Sequence, residues 1–221
     1  EIEHRFGYTL LSSLGQTEAN AGITTAFPTD SLEERAKTVG HVMDHMELRL
    51  AKPGTNDPVE PGESGEICIR GYNVMTGYYN DPESTAAALT EDGWLHTGDM
   101  AYLNENGNLV LTGRMKELII RGGENISPLE IETVLRNDPC IADCKAVGVP
   151  DRHYGEEIAL CVVPAEGYSE EQLLATLRAS LAYYKVPKYI LEVEEIPKTA
   201  TGKIRSEELR VRAIEMIKKG D

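Results

Sequence analysis

The sequence has no uninterrupted apolar run that approaches the roughly 18 residues a membrane-spanning helix needs. It is also poor in positive charge, because 22 Lys and Arg stand against 37 Asp and Glu and give a formal net charge of -15. Clustered cations neutralise the phosphates of DNA and RNA, so this balance argues against nucleic-acid binding. It leaves a nucleotide substrate open, since a few placed cations can hold one inside an acidic protein.

Cysteine is scarce, and the pattern of the few present excludes the common metal-binding motifs. No Cys-x-x-Cys pair occurs, and no histidine stands at zinc-finger spacing from any neighbouring pair. We therefore expect reduced, mostly buried thiols in a cytoplasmic protein. The four residues are Cys68, Cys140, Cys144 and Cys161.

Two further features are missing. Gly202-Lys203 is not a Walker phosphate loop, because Ile204 follows where that loop carries Ser or Thr. The chain begins with Glu1 rather than Met, and we expect it to be part of a longer protein.

What is present predicts a folded α+β or α/β protein, with 41% hydrophobic and 27% charged residues in 221. Up to residue 113 the pattern predicts short strands between turns, and Asp81-Pro82 marks a helix start. We expect residues 1–113 to be the end of a large N-terminal domain that includes a β-barrel subdomain over about 38–113. The predicted strands are Phe6–Leu14, Met46–Ala51, Glu66–Arg70 and Asn108–Thr112.

Beyond Gly113 strands alternate with helices, which is typical of a small α/β domain. We expect a hinge at residues 114–117 and this domain at 118–221. Capping boxes at Ser127–Glu130 and Ser169–Gln172 predict two helix starts, and we interpret Ser127 and Glu130 as helix caps. A final helix is predicted over 206–219, and strands are predicted at Leu118–Ile120, Cys144–Val149, Ile158–Val163 and Tyr189–Val193.

Four segments combine Gly, Thr and charge in a way that packing does not require. Each alone is weak, since a Thr-Gly-Asp triplet is an ordinary turn and a Thr-Gly-Lys sequence is usually a solvated loop tip. Their order along the chain, with Gly65–Gly71 among them, is more specific. They are Gly15–Glu18, Thr97–Asp99, Gly113–Lys116 and Pro197–Lys203.

These ordered motifs resemble the C-terminal half of the adenylate-forming superfamily, over about residues 8–209. That superfamily contains acyl-CoA synthetases, adenylation domains of peptide synthetases and beetle luciferases. The run Arg70–Asn80 is most similar to fatty-acid or aromatic-acid CoA ligases. The resemblance implies an enzyme of fatty-acid metabolism that joins a carboxylic acid to CoA through an acyl-adenylate, using ATP and Mg²⁺ and releasing AMP.

The first half-reaction brings two anions together, a carboxylate and the α-phosphate of ATP. A single cation gains only about 1 kcal/mol at 4 Å in water but roughly 4 kcal/mol at an effective dielectric near 20. A Lys delivered on a mobile loop into a closed site suits that need. The resemblance assigns this role to Lys203.

The resemblance also implies the other site residues. Glu18 would be the Mg²⁺ ligand, Thr17 would bond phosphate, and Gln16 would contact the nucleotide. Asp99 would accept hydrogen bonds from the ribose hydroxyls. The remaining roles fall to Arg114 at ribose or phosphate, Lys116 as the hinge, and Gly122 and Gly123 along the path of the CoA arm.

Two departures from the family pattern matter. Leu14 stands where relatives usually have an aromatic residue that stacks on adenine, which puts adenine packing here in doubt. The phosphate loop and most of the acyl pocket lie upstream in the family, so we expect the 221-residue chain alone to be inactive in adenylation. We expect the histidines, His96 included, to be structural.

Three alternatives stay open from the sequence. The chain could belong to a peptide-synthetase adenylation domain, although no carrier domain follows Lys203. Light emission of the beetle type would look similar over these motifs. A stand-alone binding or interaction module is the rival from a different class of protein.

Overall fold

The computed structural model describes residues 2–220, and the chain divides into two compact units, Glu1–Met115 and Lys116–Asp221. The described part of the first unit contains three short helices and seven strands. The helices are α1 (Ile2–Phe6), α2 (Leu32–Lys37) and α3 (Pro82–Ala88). The strands are β1 (Ser13–Leu14), β2 (Thr24–Thr25), β3 (His41–Val42), β4 (Met46–Ala51), β5 (Gly65–Gly71), β6 (Leu95–Leu103) and β7 (Leu109–Arg114).

The first unit carries two antiparallel sheets, in the orders β1-β2-β3 and β4-β5-β6-β7. Strand β5 is buried on both faces from Gly65 to Ile69. Because side chains alternate along a strand, Ile67 and Ile69 enter the main core, whereas Cys68 faces a smaller cluster with Trp94.

The predicted β-barrel is corrected by the structure, which shows no closed barrel within residues 2–220. The four-strand meander ends at β4 on one side and β7 on the other, and these two edges do not pair. Closure would require the two edge strands, β4 and β7, to hydrogen-bond to each other, and each instead pairs with one strand of this sheet.

The predicted strand over Phe6–Leu14 is wrong for most of its length. Ile2–Phe6 is helical, and within Phe6–Leu14 only Ser13–Leu14 forms a strand. Gly7 ends the helix with a φ of +70° and donates its N–H to the Glu3 carbonyl at 2.9 Å. Leu10 and Leu11 remain 47% and 43% exposed.

The second unit is a mixed sheet with helices on both faces. Its strands are β8 (Ile119–Arg121), β9 (Glu124–Ile126), β10 (Ile141–Asp151), β11 (Gly155–Pro164) and β12 (Tyr189–Glu192). Its helices are α4 (Pro128–Leu135), α5 (Glu170–Ser180) and α6 (Ser206–Gly220). The path runs β10-β11-β8-β9, and β12 joins β11 in the one parallel pairing of the described residues.

Because side chains alternate along β11, this strand contributes to two separate cores, one on each face of the sheet. Ile158 and Leu160 face α4 and α5, where Leu173 and Leu177 cover them. Ala159 and Cys161 face the other way and pack with Leu209 of α6. The mixed α and β class is confirmed, although β10 and β11 form a hairpin instead of alternating with a helix.

Of the two predicted helix starts, the one at Ser169 is confirmed, because the Ser169 side chain caps α5 by accepting the Gln172 N–H at 3.4 Å. Ser127 precedes α4 but makes no side-chain cap bond, and Glu130 instead accepts the Lys185 ammonium at 2.7 Å. No helix in the described range combines the length and apolar character that a bilayer crossing demands.

Candidate functional site

Gln16, Thr17 and Glu18 sit on a tight turn directly after β1. The N–H groups of Ala19 and Ala21 both donate to the Gln16 carbonyl, at 3.1 and 3.0 Å. Gly15 permits this turn, because a Cβ there would lie 1.8 Å from the Ala21 carbonyl oxygen. The buried Ala19 anchors the turn, which leaves Thr17 exposed and Glu18 half-buried.

Glu18 is held from two sides by a segment about 60 residues further along the chain. The Tyr78 hydroxyl donates to Glu18 Oε1 at 2.9 Å, and the Met75 N–H donates to the Glu18 carbonyl at 2.8 Å. The hydrogen bond to Glu18, together with burial, raises the pKa of Tyr78. Sequence reasoning did not assign Tyr78, although it stands in the family-like run that begins at Arg70.

Asp99 lies on β6 and is only 6% exposed. Its carboxylate pairs with Arg114 on β7, at 2.8 Å between Oδ1 and Nε, and the two residues are register partners. The register of β6 shifts between Met100 and Ala101, and such irregularities bend a strand and redirect its side chains. The structure therefore brings two predicted site residues, Asp99 and Arg114, into direct contact.

The part of β6 directly before Asp99 is braced by β5. Thr97 Oγ1 donates to the Ile67 carbonyl at 2.8 Å and accepts the Asp99 N–H at 3.1 Å. The Gly98 N–H donates to the buried Glu66 Oε1 at 3.0 Å. Gly98 takes a φ of +73°, which other residues adopt only at a cost. The Asp99 carboxylate is thus fixed by its backbone as well as by Arg114.

Lys116 lies on a single helical turn, Met115–Glu117, and its side chain is exposed. The next residue, Glu117, accepts the Lys145 ammonium at 2.8 Å, and Lys145 also pairs with Glu132 at 3.2 Å. Burial lowers the pKa of Lys145, but the carboxylates of Glu132 and Glu117 outweigh it and raise that pKa. A cavity of about 270 Å³ adjoins this cluster.

Gly122 and Gly123 form the two-residue turn between β8 and β9. Their φ values of +62° and +90° are those a tight hairpin turn requires. The Gly122 N–H donates to the Tyr154 carbonyl at 2.8 Å. Arg121 braces the turn by pairing with the buried Glu157 and lying 4.3 Å from the centre of the Tyr154 ring.

Lys203 stands at the end of an exposed, hydrogen-bonded turn. The Thr199 N–H donates to the Lys203 carbonyl at 2.7 Å, and the Lys203 N–H donates to Thr199 Oγ1 at 3.1 Å. Lys198 ties the turn to the sheet through Asp143 at 2.7 Å. Among the described residues of the second unit, no carboxylate lies within ion-pair distance of the Lys203 ammonium, and no hydrogen bond joins Lys203 to Lys116, Gly122 or Gly123.

Leu14 packs against the main core of the first unit. His96 contacts Glu66 and Asn56, and neither contact involves a residue assigned to the nucleotide. Sequence reasoning missed this pairing, and it missed Arg121 with Glu157, because the partners are about 30 and 36 residues apart and no spacing motif connects them.

Two family models match this chain. Residues 1–79 match the AMP-binding enzyme model, and residues 130–203 match the AMP-binding enzyme C-terminal domain, which together exceed half of the chain. The chain belongs to the AMP-binding enzyme family. The superfamily resemblance drawn from the motifs is confirmed.

Two curated relatives are named as an acyl-CoA synthetase and an acyl-CoA ligase. The chain is 44% identical over 204 residues to a putative acyl-CoA synthetase, YngI, of Bacillus subtilis, with 91% of the chain and 37% of that relative covered. It is 43% identical over 200 residues to the mitochondrial medium-chain acyl-CoA ligase ACSF2 of Danio rerio, with 90% and 33% covered. The chain thus spans about a third of the length of these curated relatives.

A solved structure shows the same fold. The o-succinylbenzoate CoA synthetase of Bacillus subtilis, in complex with its acyl-adenylate intermediate, superposes with a TM-score of 0.83 at 32% identity. The match covers 95% of this chain and 42% of that structure.

Proposed function

We propose that this chain supplies part of the nucleotide site and the small domain of an ATP-dependent, AMP-forming acid–CoA ligase. The enzyme would first join a carboxylic acid to AMP with loss of pyrophosphate, and CoA would then displace AMP. The family membership supports this function, as do relatives named as acyl-CoA synthetases and a structural neighbour that holds an acyl-adenylate.

The observation that carries the proposal is the state of Lys203. Its backbone is fixed by the Thr199 bonds, while its ammonium has no carboxylate partner among the described residues. In a protein with 37 acidic residues, an unpaired cation on a well-formed turn is available to a ligand. We assign Lys203 to the contact between the substrate carboxylate and the α-phosphate, where it stabilises the negative charge of the transition state.

The first unit would hold the nucleotide. Asp99 would accept hydrogen bonds from the two ribose hydroxyls, and its hydrogen-bonded backbone would hold the carboxylate in place for this role. Arg114, which pairs with Asp99, would contact ribose or phosphate. Thr17 and Gln16 would bond phosphate oxygens and the nucleotide from the turn after β1.

A magnesium ion fits the surroundings of Glu18. Carboxylate oxygen is the ligand type this cation prefers, and within residues 2–220 the Glu18 carboxylate has the Tyr78 hydroxyl as its one hydrogen-bond partner. A bound Mg²⁺ would neutralise phosphate charge. The Tyr78 hydroxyl would fix the direction in which the Glu18 carboxylate points, and the Met75 N–H would hold the Glu18 backbone.

Residues 114–117 would be the hinge, with Lys116 as the residue whose backbone turns between the half-reactions. Glu117 is tied to Lys145 in the second unit, so a change at Lys116 would turn that unit as a body. Gly122 and Gly123 would line the path of the CoA arm, because an absent side chain allows close backbone approach.

The substrate would be a fatty or aromatic acid. The run Arg70–Asn80 supports this class, and a medium-chain acid is the specific candidate that the name of the Danio rerio relative suggests. A carrier-protein thiol in place of CoA is the alternative acceptor.

The test uses a polypeptide that carries this chain behind the upstream region its relatives possess, which we call the extended enzyme. Acid-dependent exchange of pyrophosphate into ATP and formation of the CoA thioester are measured over short, medium, long and aromatic acids. In Lys203→Ala we expect exchange to be lost while a supplied acyl-adenylate is still converted to the thioester. Exchange at the unmodified rate in this variant would show that the assignment of Lys203 is wrong.

A further inference from the structure

Three side chains that the proposed function does not use converge on one face of the four-stranded sheet in the first unit. Glu66 and Cys68 are two residues apart on β5 and therefore point to the same face. His96 on β6 is the register partner of Cys68. Glu66 and Cys68 are 1% and 0% exposed, and the His96 side chain is 18% exposed. The sheet thus places a carboxylate, a thiol and an imidazole together in a nearly closed position.

The distances between these groups approach those of a metal site. Cys68 Sγ is 3.4 Å from His96 Nδ1, Nδ1 is 2.8 Å from Glu66 Oε2, and the three ligand atoms lie within 4.8 Å of one another. Around a tetrahedral zinc ion, bond lengths of about 2.0 to 2.3 Å put neighbouring ligand atoms about 3.3 to 3.6 Å apart. The thiol and imidazole already match, and the carboxylate would move outward by about 0.5 Å.

The hydrogen bonds around His96 indicate that a cation belongs at this point. Arg49 Nη2 can only donate, and its bond of 2.9 Å is to Asn56 Oδ1, which identifies that atom as oxygen. His96 Nε2 lies 3.1 Å from the same oxygen and must be its donor. In a neutral ring, Nδ1 then presents a lone pair to the Glu66 carboxylate at 2.8 Å. Two acceptors at that distance need a proton or a metal ion between them.

The outer partners suit a metal site as well. A ligating histidine usually donates its other ring N–H to an oxygen, as Nε2 does to Asn56. A ligating carboxylate is itself usually hydrogen-bonded, as Glu66 Oε1 is by the Gly98 N–H at 3.0 Å. Both partners orient the ligand atoms toward the common point.

We propose that Glu66, Cys68 and His96 bind a zinc ion, with water as the fourth ligand. Thiolate and imidazole select Zn²⁺ over Mg²⁺, so this site is chemically distinct from the one assigned to Glu18. The ion would tie β5 to β6 close to the part of β6 that carries Asp99.

The experiment measures Zn²⁺ binding to the 221-residue chain, without a histidine tag, by competition with a chromophoric chelator. We expect one equivalent to bind, and the Cys68→Ser variant to lose affinity by more than about a hundredfold, since even outer partners typically account for ten- to a hundredfold. Cys140→Ser, in the other unit, is the matched control and should bind as the unmodified chain does. Cobalt substitution should give a thiolate charge-transfer band that Cys68→Ser lacks.

Folding of each variant is checked by the fluorescence of Trp94, the single tryptophan, which packs against Cys68. Should Cys68→Ser fail to fold, Asn56→Ala carries the test, because Asn56 is exposed and its loss should lower affinity ten- to a hundredfold. The proposal is overturned if no stoichiometric Zn²⁺ binds, if cobalt shows no thiolate band, or if binding is unchanged in both variants. A proton shared by His96 and Glu66 would then occupy the position.

Discussion

Asp99 in the first unit and Lys203 in the second are presented in opposite ways. Asp99 is nearly buried on a strand, and its ion pair with Arg114 and the bonds of Thr97 and Gly98 hold it in place. Lys203 is exposed on a turn whose backbone is ordered, but its ammonium has no carboxylate partner within the described residues. The ion pair with Arg114 therefore fixes the side chain of Asp99, whereas at Lys203 the hydrogen bonds fix only the backbone.

The difference is what we expect from the role that we propose for each residue. Recognition of two ribose hydroxyls depends on direction, so the carboxylate gains from a rigid position before the nucleotide arrives. The attraction of an ammonium for an anion depends chiefly on the distance between the two charges, and a long flexible side chain can bring the ammonium close enough. A rigid Asp99 carboxylate and a Lys203 side chain that can move are what we expect if the first unit recognises the nucleotide and the second unit brings a positive charge to it.

The largest expected effect comes from Lys203→Ala in the extended enzyme. We expect pyrophosphate exchange to fall by a factor of about a hundred to a thousand, the cost of removing one group that stabilises transition-state charge. The thermal unfolding temperature should not change, because the side chain is exposed and unpaired. Lys218→Ala, an exposed lysine of the same unit, is the control and should affect neither quantity.

Asp99→Asn should come next and should affect binding more than rate. Hydrogen bonds to a charged group contribute about 1.5 to 3 kcal/mol, so we expect the KM for ATP to rise roughly ten- to a hundredfold. The kcat should change little. Asp92→Asn, at an exposed position of the same unit, is the comparison, and an equal rise there would contradict the assigned role of Asp99.

Glu66→Ala tests whether the brace behind Asp99 is real. The change leaves the Gly98 N–H without its acceptor and removes the carboxylate that contacts the half-buried His96 ring, and we expect the first unit to lose about 2 kcal/mol of unfolding free energy. Urea unfolding followed through Trp94, with a chelator present, measures it. Glu47→Ala removes the exposed partner of Arg70 on the same sheet and should cost much less, because solvent screens an exposed ion pair.

The smallest effect concerns the turn of the second unit that supports Gly122. The N–H groups of Tyr154 and His153 and the ammonium of Lys188 lower the pKa of Asp151 from 3.8 to about 2. A lowered carboxyl pKa adds stability that is complete above the unfolded value and lost as pH falls through the folded one. Asp151→Asn should therefore destabilise the second unit near neutrality, and its difference from the unmodified chain should vanish between about pH 4 and pH 2.

Far-UV circular dichroism across that pH range measures the effect of Asp151→Asn. The Trp94 transition of the first unit should be the same in both proteins. A difference between the two chains that persists at pH 2 would assign the effect to packing instead of to charge.

Local chemistry in the sequence predicted much of the fold. Strand β4 and the start of α3 were predicted at the observed residues, because alternation and an Asp-Pro helix start depend only on near neighbours. The barrel and the Phe6–Leu14 strand were wrong, because closure and strand pairing depend on partners that a local pattern does not contain.

The sequence by itself determined the family, the order of the motifs and the residues offered for nucleotide, metal and CoA. Those motifs are short and contiguous, so the chemistry of their side chains can be inferred from the sequence without knowledge of the fold. Only the tertiary structure decided that Tyr78 holds Glu18, that Arg114 pairs with Asp99, and that Lys203 has no carboxylate partner in the described range. Such contacts depend on strand register and on turns tens of residues apart, where a shift of one residue would turn each side chain to the opposite face.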